Sequence, residues 1–260
     1  MPELPEVYTT ACFYHEMIEG KELLRIVDHT GKCSKNLESF KPGKVRYVTS
    51  EGKKIVIRIS GKQYITVFLR MFGKFLPWIH NDKHHHMTFE FEDYKIYYCD
   101  TGGLGIGEIT VCNGVEELAI NFTGVGRDFI RREVTFDEWK PYASSRKSNI
   151  VRFLRDQKKF SGIGNYIVSE SMYRARLSPE RNMKTLDNQE LRKLFDSIIS
   201  VMRDAIESGG TTISDYVGPN GEDGKYVTDV YGRQKDKLGN RITKIKVDGR
   251  PIFYVESLQK

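Results

Sequence analysis

No apolar run in this 260-residue chain approaches the ~20 residues of a membrane span, and no signal-peptide pattern precedes the first helical segment. Neither a membrane partner nor a secretory leader is expected. Cysteines number only four (Cys12, Cys33, Cys99, Cys112) and show no paired spacing. They read as reduced, mostly buried thiols in an intracellular, reducing compartment, which excludes a disulfide framework. There is no internal repeat and no low-complexity segment. No Ser/His/Asp order and no phosphate-cradling loop with a nucleotide-binding lysine stands out. The run His84-His85-His86 cannot share one ion well, because successive side chains at a strand start alternate in direction.

What is present is basic charge. The net charge is +6 with an isoelectric point near 9.0, which suggests a polyanionic partner. From Tyr226 to Lys260 there are eight Lys/Arg against four Asp/Glu. Between Ser144 and Lys159, Arg146, Lys147, Arg152, Arg155, Lys158 and Lys159 face Asp156 alone. Two basic clusters flanking a helical region could track a phosphate backbone or simply be solvated faces.

The hydrophobic pattern divides the chain in three. The Pro5–Glu19 segment reads as a helix stopped by Gly20. From Gly20 to about Cys112 the period is two, with Lys54 to Ile59, Tyr64 to Leu69, Met87 to Phe91, Lys95 to Cys99 and Glu108 to Cys112 as strands. That spacing argues for a β-sandwich or barrel, with Phe89, Phe91, Tyr97 and Tyr98 on its core and surface. From about Ser145 the period becomes helical. Ile150, Val151, Phe153, Leu154 and Gln157 follow serine caps, and Asp187 with Glu190 precede an amphipathic run closed by Gly209-Gly210. Gly218 to Gly224 reads as a flexible loop. The tail reads as a hairpin, Lys244 to Val247 and Ile252 to Val255, turning at Asp248-Gly249.

Two motifs carry chemistry. The chain opens Met1-Pro2-Glu3-Leu4-Pro5-Glu6-Val7. Removal of Met1, which a small second residue permits, exposes the secondary amine of Pro2 beside the Glu3 carboxylate. An α-amino group titrates near ~8, so a useful fraction is unprotonated at neutral pH and can attack a sugar C1′ through a cationic imine. The alternative is that both prolines only stiffen a helix start, with Glu6 complementing its dipole. The second motif, Asp156 to Tyr166, places Gly162 and Gly164 just before a helix beginning at Asn165. Glycines there let the backbone approach an anion closely, though a tight helix–helix connection has the same signature.

These strings, with Gly209-Gly210-Thr211-Thr212, Val230-Tyr231-Gly232-Arg233, Gly249-Arg250 and Gln259-Lys260, together resemble the formamidopyrimidine-DNA glycosylase/endonuclease VIII family over essentially the whole chain. The resemblance implies an α+β fold: an N-terminal β-sandwich domain (1–130), a helix–two-turn–helix domain (131–225) and a C-terminal β-hairpin finger (226–260), with damaged double-stranded DNA in the cleft and the protein a monomer. It implies excision of an oxidised base followed by β,δ-elimination at the abasic site. Pro2 would be the nucleophile, Glu3 the general acid/base and Glu6 a second functional carboxylate. Lys53 matches the phosphate-binding lysine, with Lys54 the match if the register moves by one. Asn165 and Arg250 match phosphate contacts, and Lys158 matches less closely. The reacting base leaves the stack for a pocket closed by the Thr211–Gly224 loop.

Two departures qualify the resemblance. The family's finger usually holds zinc on four cysteines, whereas this chain has Gln234 to Asn240 at the first pair and Val255 and Leu258 at the second. A zincless finger is expected, with Val255, Phe253 and Leu258 as a small apolar cluster, and no metal or other cofactor. The family also fills the gap left by the flipped base with three residues. Met71 matches one, but the second loop reads Asp100-Thr101-Gly102-Gly103-Leu104-Gly105, with glycine for an arginine and Leu104 for an aromatic wedge. Arg70 could compensate by reaching the same space. An abasic-site or lesion-binding protein that has lost base excision is the alternative function. A generic basic DNA-binding domain is a third. The preferred lesion is not legible.

Overall fold

The computed structural model describes residues 2–78, 84–101, 107–212 and 217–260. The chain divides into two compact units, one of residues 1–123 with 209–225 and one of 124–208 with 226–260. Met1 and the loop residues Gly103 and Leu104 lie outside the described residues.

The first unit opens with helix α1 (Leu4–Ile18), which begins one residue earlier than the sequence pattern suggests. Pro5 fits its second position because the first-turn N–H groups have no intrahelical partner to lose. Gly20, at φ 77°, ends it. Among the described residues nine strands follow: β1 (Glu22–Asp28), β2 (Ser34–Lys35), β3 (Gly43–Glu51), β4 (Lys54–Ile59), β5 (Gln63–Phe68), β6 (Lys74–Leu76), β7 (His85–Phe91), β8 (Lys95–Cys99) and β9 (Glu108–Asn113), with α2 (Val115–Asn121) after the last.

The strands hydrogen-bond in the order β2-β9-β5-β4-β3-β1-β7-β8-β6. The sandwich expected from the sequence forms, its two halves β2-β9-β5-β4-β3 and β1-β7-β8-β6 linked by two residue pairs, Glu22 with Lys44 and Leu23 with Gly43. Its two halves still share one core. Ile55, Ile57, Ile65, Val67 and Ile109 from one half cluster with Ile26, Phe89, Phe91 and Ile96 from the other, and α1 adds Val7, Ala11, Tyr14 and Ile18. Burial of that apolar surface is the main favourable term in folding the unit. Cys33, Cys99 and Cys112 are buried free thiols, and Cys12 is exposed.

The second unit contains the short parallel pair β10 (Arg127–Asp128) and β11 (Phe160–Ser161), helices α3 (Phe136–Ser144), α4 (Ile150–Arg155), α5 (Asn165–Ala175) and α6 (Asn188–Glu207), and the hairpin β12 (Thr243–Val247) with β13 (Arg250–Tyr254). The Asp187/Glu190 capping box forms as the sequence suggests, and Leu191, Leu194, Phe195, Ile198, Val201, Met202 and Ala205 bury one face of α6. Helix α4 differs from expectation. Asn149, not a serine, caps it through Oδ1, which accepts the Val151 N–H at 2.9 Å. It ends at Arg155, so Gln157 lies beyond it rather than on its face. Among the described residues no helix is long and apolar enough to cross a membrane.

Candidate active site and nucleic-acid interface

The start of α1 buries two carboxylates. Glu3 and Glu6 are 4% and 2% exposed, and Pro2, immediately ahead, is buried as well. Glu6 lies one turn into the helix, so its side chain reaches back and Oε2 accepts the Glu3 N–H at 2.9 Å. Its other oxygen, Oε1, accepts the Thr211 N–H at 3.1 Å. That bond brings the Gly209–Thr212 motif to the helix start. It is also one reason why 209–225, grouped with the helices on sequence grounds, packs with the sheet unit. A buried carboxylate costs free energy unless donors satisfy it, and here backbone amides do so while fixing its orientation.

Lys53 sits with Gly52 in the two-residue turn joining β3 to β4, since Glu51 pairs directly with Lys54. The neighbouring Lys54 is committed elsewhere. Its Nζ donates to Asn121 Oδ1 at 2.6 Å and to the Asn121 carbonyl at 3.0 Å, and it lies over the Phe122 ring. Burial pushes the Lys54 ammonium below its ordinary pKa. Of the two adjacent lysines, Lys54 ties α2 to the sheet, and Lys53 occupies the turn.

The segment 69–73 is a tight turn closed by the Gly73 N–H on the Leu69 carbonyl at 3.1 Å. Arg70 projects to solvent at φ 53°, 6.0 Å from the Phe68 ring, and Met71 is half-buried. The base of the second loop is held by Asp100, whose Oδ2 accepts the Tyr98 hydroxyl at 2.7 Å and the Gly107 N–H at 3.1 Å. A β-carbon on Gly107 would lie 2.0 Å from that hydroxyl, so only glycine fits. The histidine run follows its alternating pattern: His85 Nε2 lies 2.9 Å from Thr88 Oγ1, and His86 Nε2 lies 2.8 Å from the Asp100 carbonyl oxygen.

In the second unit, the loop between α4 and α5 is stapled by Gln157. Its Nε2 donates to the carbonyls of Arg155 (2.9 Å) and Ile163 (2.8 Å), and its Oε1 accepts the Gly162 N–H at 2.8 Å. Gly164 caps α5 and Asn165 is its first residue, half-buried. The Asn165 side chain makes no hydrogen bond among the described residues. Lys158 is exposed, with its N–H on Asp156 Oδ1 at 3.0 Å.

The finger is built without cysteine or histidine, and its residues do not fit a zinc ion. In the knuckle at 236–240, the Asp236 carboxylate accepts the N–H groups of Leu238 (2.9 Å) and Asn240 (2.8 Å), the Asn240 amide (2.9 Å) and the Tyr173 hydroxyl (3.0 Å). The Asp236 oxygens are spent on the turn itself. Val255 packs with Val230, Ile242 and Tyr173, flanked by Phe253 and Leu258, the cluster expected from the sequence. Glu170, fully buried on α5, accepts the N–H groups of Asp229, Val230 and Tyr231 at 2.7–2.9 Å and so anchors the bend at the start of the finger. Arg250 stands exposed at the first residue of β13, next to the Asp248-Gly249 turn.

Several anchoring residues were not singled out by sequence reasoning. Thr211 acts through its backbone, which no side-chain pattern reveals. Asp236 carries a signal, an Asp followed by Gly239-Asn240 in a turn-rich stretch.

Residues 1–106 match the formamidopyrimidine-DNA glycosylase N-terminal domain, and residues 125–217 match the formamidopyrimidine-DNA glycosylase H2TH domain. The formamidopyrimidine-DNA glycosylase of Wolbachia sp. subsp. Drosophila simulans (strain wRi) is 31% identical over 273 residues, covering 100% of both chains. The chain belongs to the formamidopyrimidine-DNA glycosylase family. Membership makes it a DNA glycosylase of base excision repair. The family protein of Carboxydothermus hydrogenoformans is 30% identical over 275 residues, again covering 100% of each. Among solved structures, the MutM (Fpg) protein of Thermus thermophilus superposes with a TM-score of 0.91 at 25% identity, over 99% of this chain and 98% of that one. Lactococcus lactis Fpg, solved with DNA containing an abasic site, shares the fold at a TM-score of 0.88 and 24% identity, over 99% of each chain.

Proposed function

We propose that this family member is a bifunctional DNA glycosylase and abasic-site lyase that acts on oxidised or ring-opened purines in duplex DNA, with Pro2 as nucleophile. One observation carries the reading: buried Pro2 is followed by two buried carboxylates, Glu3 and Glu6, at a helix start whose geometry is fixed by the Glu6–Glu3 and Thr211–Glu6 hydrogen bonds. In this reading Met1 is removed and the Pro2 amine attacks C1′ of the damaged nucleotide. Glu3 protonates the sugar ring oxygen as the ring opens, and the base leaves. The iminium then acidifies the neighbouring carbon, so β- and δ-elimination break the two C–O bonds to phosphate. Glu6 holds Glu3 and the Thr211 segment in place. Lys53 holds a backbone phosphate, a role supported by its place in the turn and by the commitment of Lys54 to Asn121. Asn165, Lys158 and Arg250 grip the backbone, Met71 enters the duplex gap, and Arg70 contacts the orphan base.

Borohydride trapping on duplex DNA with one abasic site tests this reading, after intact mass confirms loss of Met1. Wild type should become covalently linked, and Pro2→Gly should lose most of the linkage. A correctly processed wild type that binds the duplex without linkage would instead be the binding-only protein. Oxidised pyrimidines and hydantoins belong in the accompanying substrate panel, because the loop carrying Leu104 departs from the family pattern.

A further inference from the structure

Within the second unit, a pocket of about 360 Å³ at the finger turn is lined by Arg152, Arg155, Asp156, Asp248 and Arg250. Three guanidinium groups face two carboxylates there. Asp156 is occupied by the Lys158 N–H and, at 3.5 Å, the Tyr142 hydroxyl. Asp248 is the carboxylate paired with two of the arginines. It accepts Arg152 Nε at 3.1 and 3.2 Å and Nη2 at 2.8 Å, and Arg155 Nη2 at 3.2 Å.

Arg155 is unusual among these cations. Its side chain is only 9% exposed, whereas those of Arg152 and Asp248 are 60% and 50% exposed. Its Nη2 also donates to the Val247 carbonyl at 3.0 Å, but Nη1 is buried with no hydrogen-bond partner among the described residues. A buried guanidinium with an idle donor is costly, and its planar fork matches a tetrahedral phosphate better than a single carboxylate shared with a second arginine. Burial first, and then repulsion from Arg250, push Arg155 below its ordinary pKa. An added anion would offset the repulsion and give the idle donor a partner.

We propose that this pocket binds a phosphate group, with Arg155 as its floor, Arg152 and Arg250 at its sides, and Asp248 as the internal anion that the phosphate displaces. The proposal adds Arg152, Arg155 and Asp248 to the interface, none of which the glycosylase reading uses. A DNA backbone phosphate and free phosphate offer the same chemistry. The first source rests on the DNA-binding reading above, and the second does not.

Asp248 lies at φ 49°, a conformation asparagine tolerates well, so Asp248→Asn removes the competing charge and keeps the turn. Arg155→Leu removes the floor. Each variant would be titrated with inorganic phosphate and with an abasic-analogue duplex in which single phosphates are replaced by neutral methylphosphonates. For a backbone phosphate, Arg155→Leu weakens duplex binding about tenfold or more, and the loss vanishes at one methylphosphonate position. Asp248→Asn tightens the same duplex about threefold. For free phosphate, duplex binding is unchanged, while phosphate affinity falls in Arg155→Leu and rises in Asp248→Asn. The proposal is overturned if neither ligand distinguishes the variants from wild type, or if Asp248→Asn weakens binding as Arg155→Leu does, which would make the cluster a structural lock only. Should Arg155→Leu fail to fold, the sign of the Asp248→Asn change decides. Failure of the enzymatic reading shows separately, as absent borohydride trapping of wild type.

Discussion

The start of α1 and the C-terminal finger carry the charges proposed to act on DNA, and they hold them in opposite ways. At α1 the charges are carboxylates, buried and oriented by backbone amides that cannot swing away. In the finger they are cations on an exposed turn, and the turn is held by other side chains: Asp236 in its knuckle, Glu170 at its root, and the Arg152–Asp248 pair at its tip. The difference follows from the task. A proton donor must sit within a few tenths of an ångström of one atom, which burial and short-range hydrogen bonds achieve. A backbone grip needs accessible charge and tolerates motion, so it can rest on a two-stranded hairpin that would be marginal alone.

The contrast can be broken by variants that shift the wrong property. The largest expected effect is at Glu3. Glu3→Gln should slow base excision by at least about a hundredfold in single-turnover assays while leaving duplex affinity within about twofold. A comparable loss of affinity would mean that the carboxylate serves binding. Next comes the knuckle: Asp236→Ala should lower Tm by about 3–6 °C, read by calorimetry, through loss of an acceptor shared by four donors. Excision by the surviving folded fraction at saturating DNA should be unchanged. Arg250→Ala should weaken binding about tenfold and reduce the salt slope by about one, with an unchanged rate at saturation.

Much of this was legible beforehand. Period-two runs located the strands, and the Asp187/Glu190 box located α6, because both signals are local. Pro2, Glu3 and Asn165, the residues proposed for the chemistry and the backbone grip, drew attention because they sit in distinctive strings. Three features were not. The link between the two halves of the sandwich depends on the long-range pairs Glu22–Lys44 and Leu23–Gly43, which no local pattern encodes. Asn149 displaced the serines as the α4 cap because its amide also reaches the Pro179 carbonyl at 2.6 Å. Arg155 reads as one more surface cation in a basic stretch. Its burial is decided by the hairpin turn almost a hundred residues later, where Asp248 meets it.

The smallest expected effect sharpens the idea of a carboxylate spent on backbone amides, since Asp28 uses the same device away from the helix start. Its oxygens accept the N–H groups of Thr30, Gly31, Cys33 and Ser34. Burial alone would raise its pKa, but the Ser34 hydroxyl and these amides prevail and hold it at about 2, below its ordinary 3.8. A depressed carboxylate stabilises the fold above its unfolded value and loses that contribution as pH falls. Wild type should therefore be more stable than Asp28→Asn at neutral pH, with the Tm gap closing as pH falls from about 4 to about 2.

The hydrogen bond from Thr211 to Glu6 spans 205 positions and has a consequence for biosynthesis. The amine proposed to attack DNA leaves the ribosome first, yet the amide that braces its helix arrives only after α6 has been made. A nascent chain stopped before Gly209 therefore carries the proposed nucleophile without its brace. Maturation of the helix start waits on translation of the distant segment, so on the proposed reading a reactive terminus is finished only when most of the chain has been made.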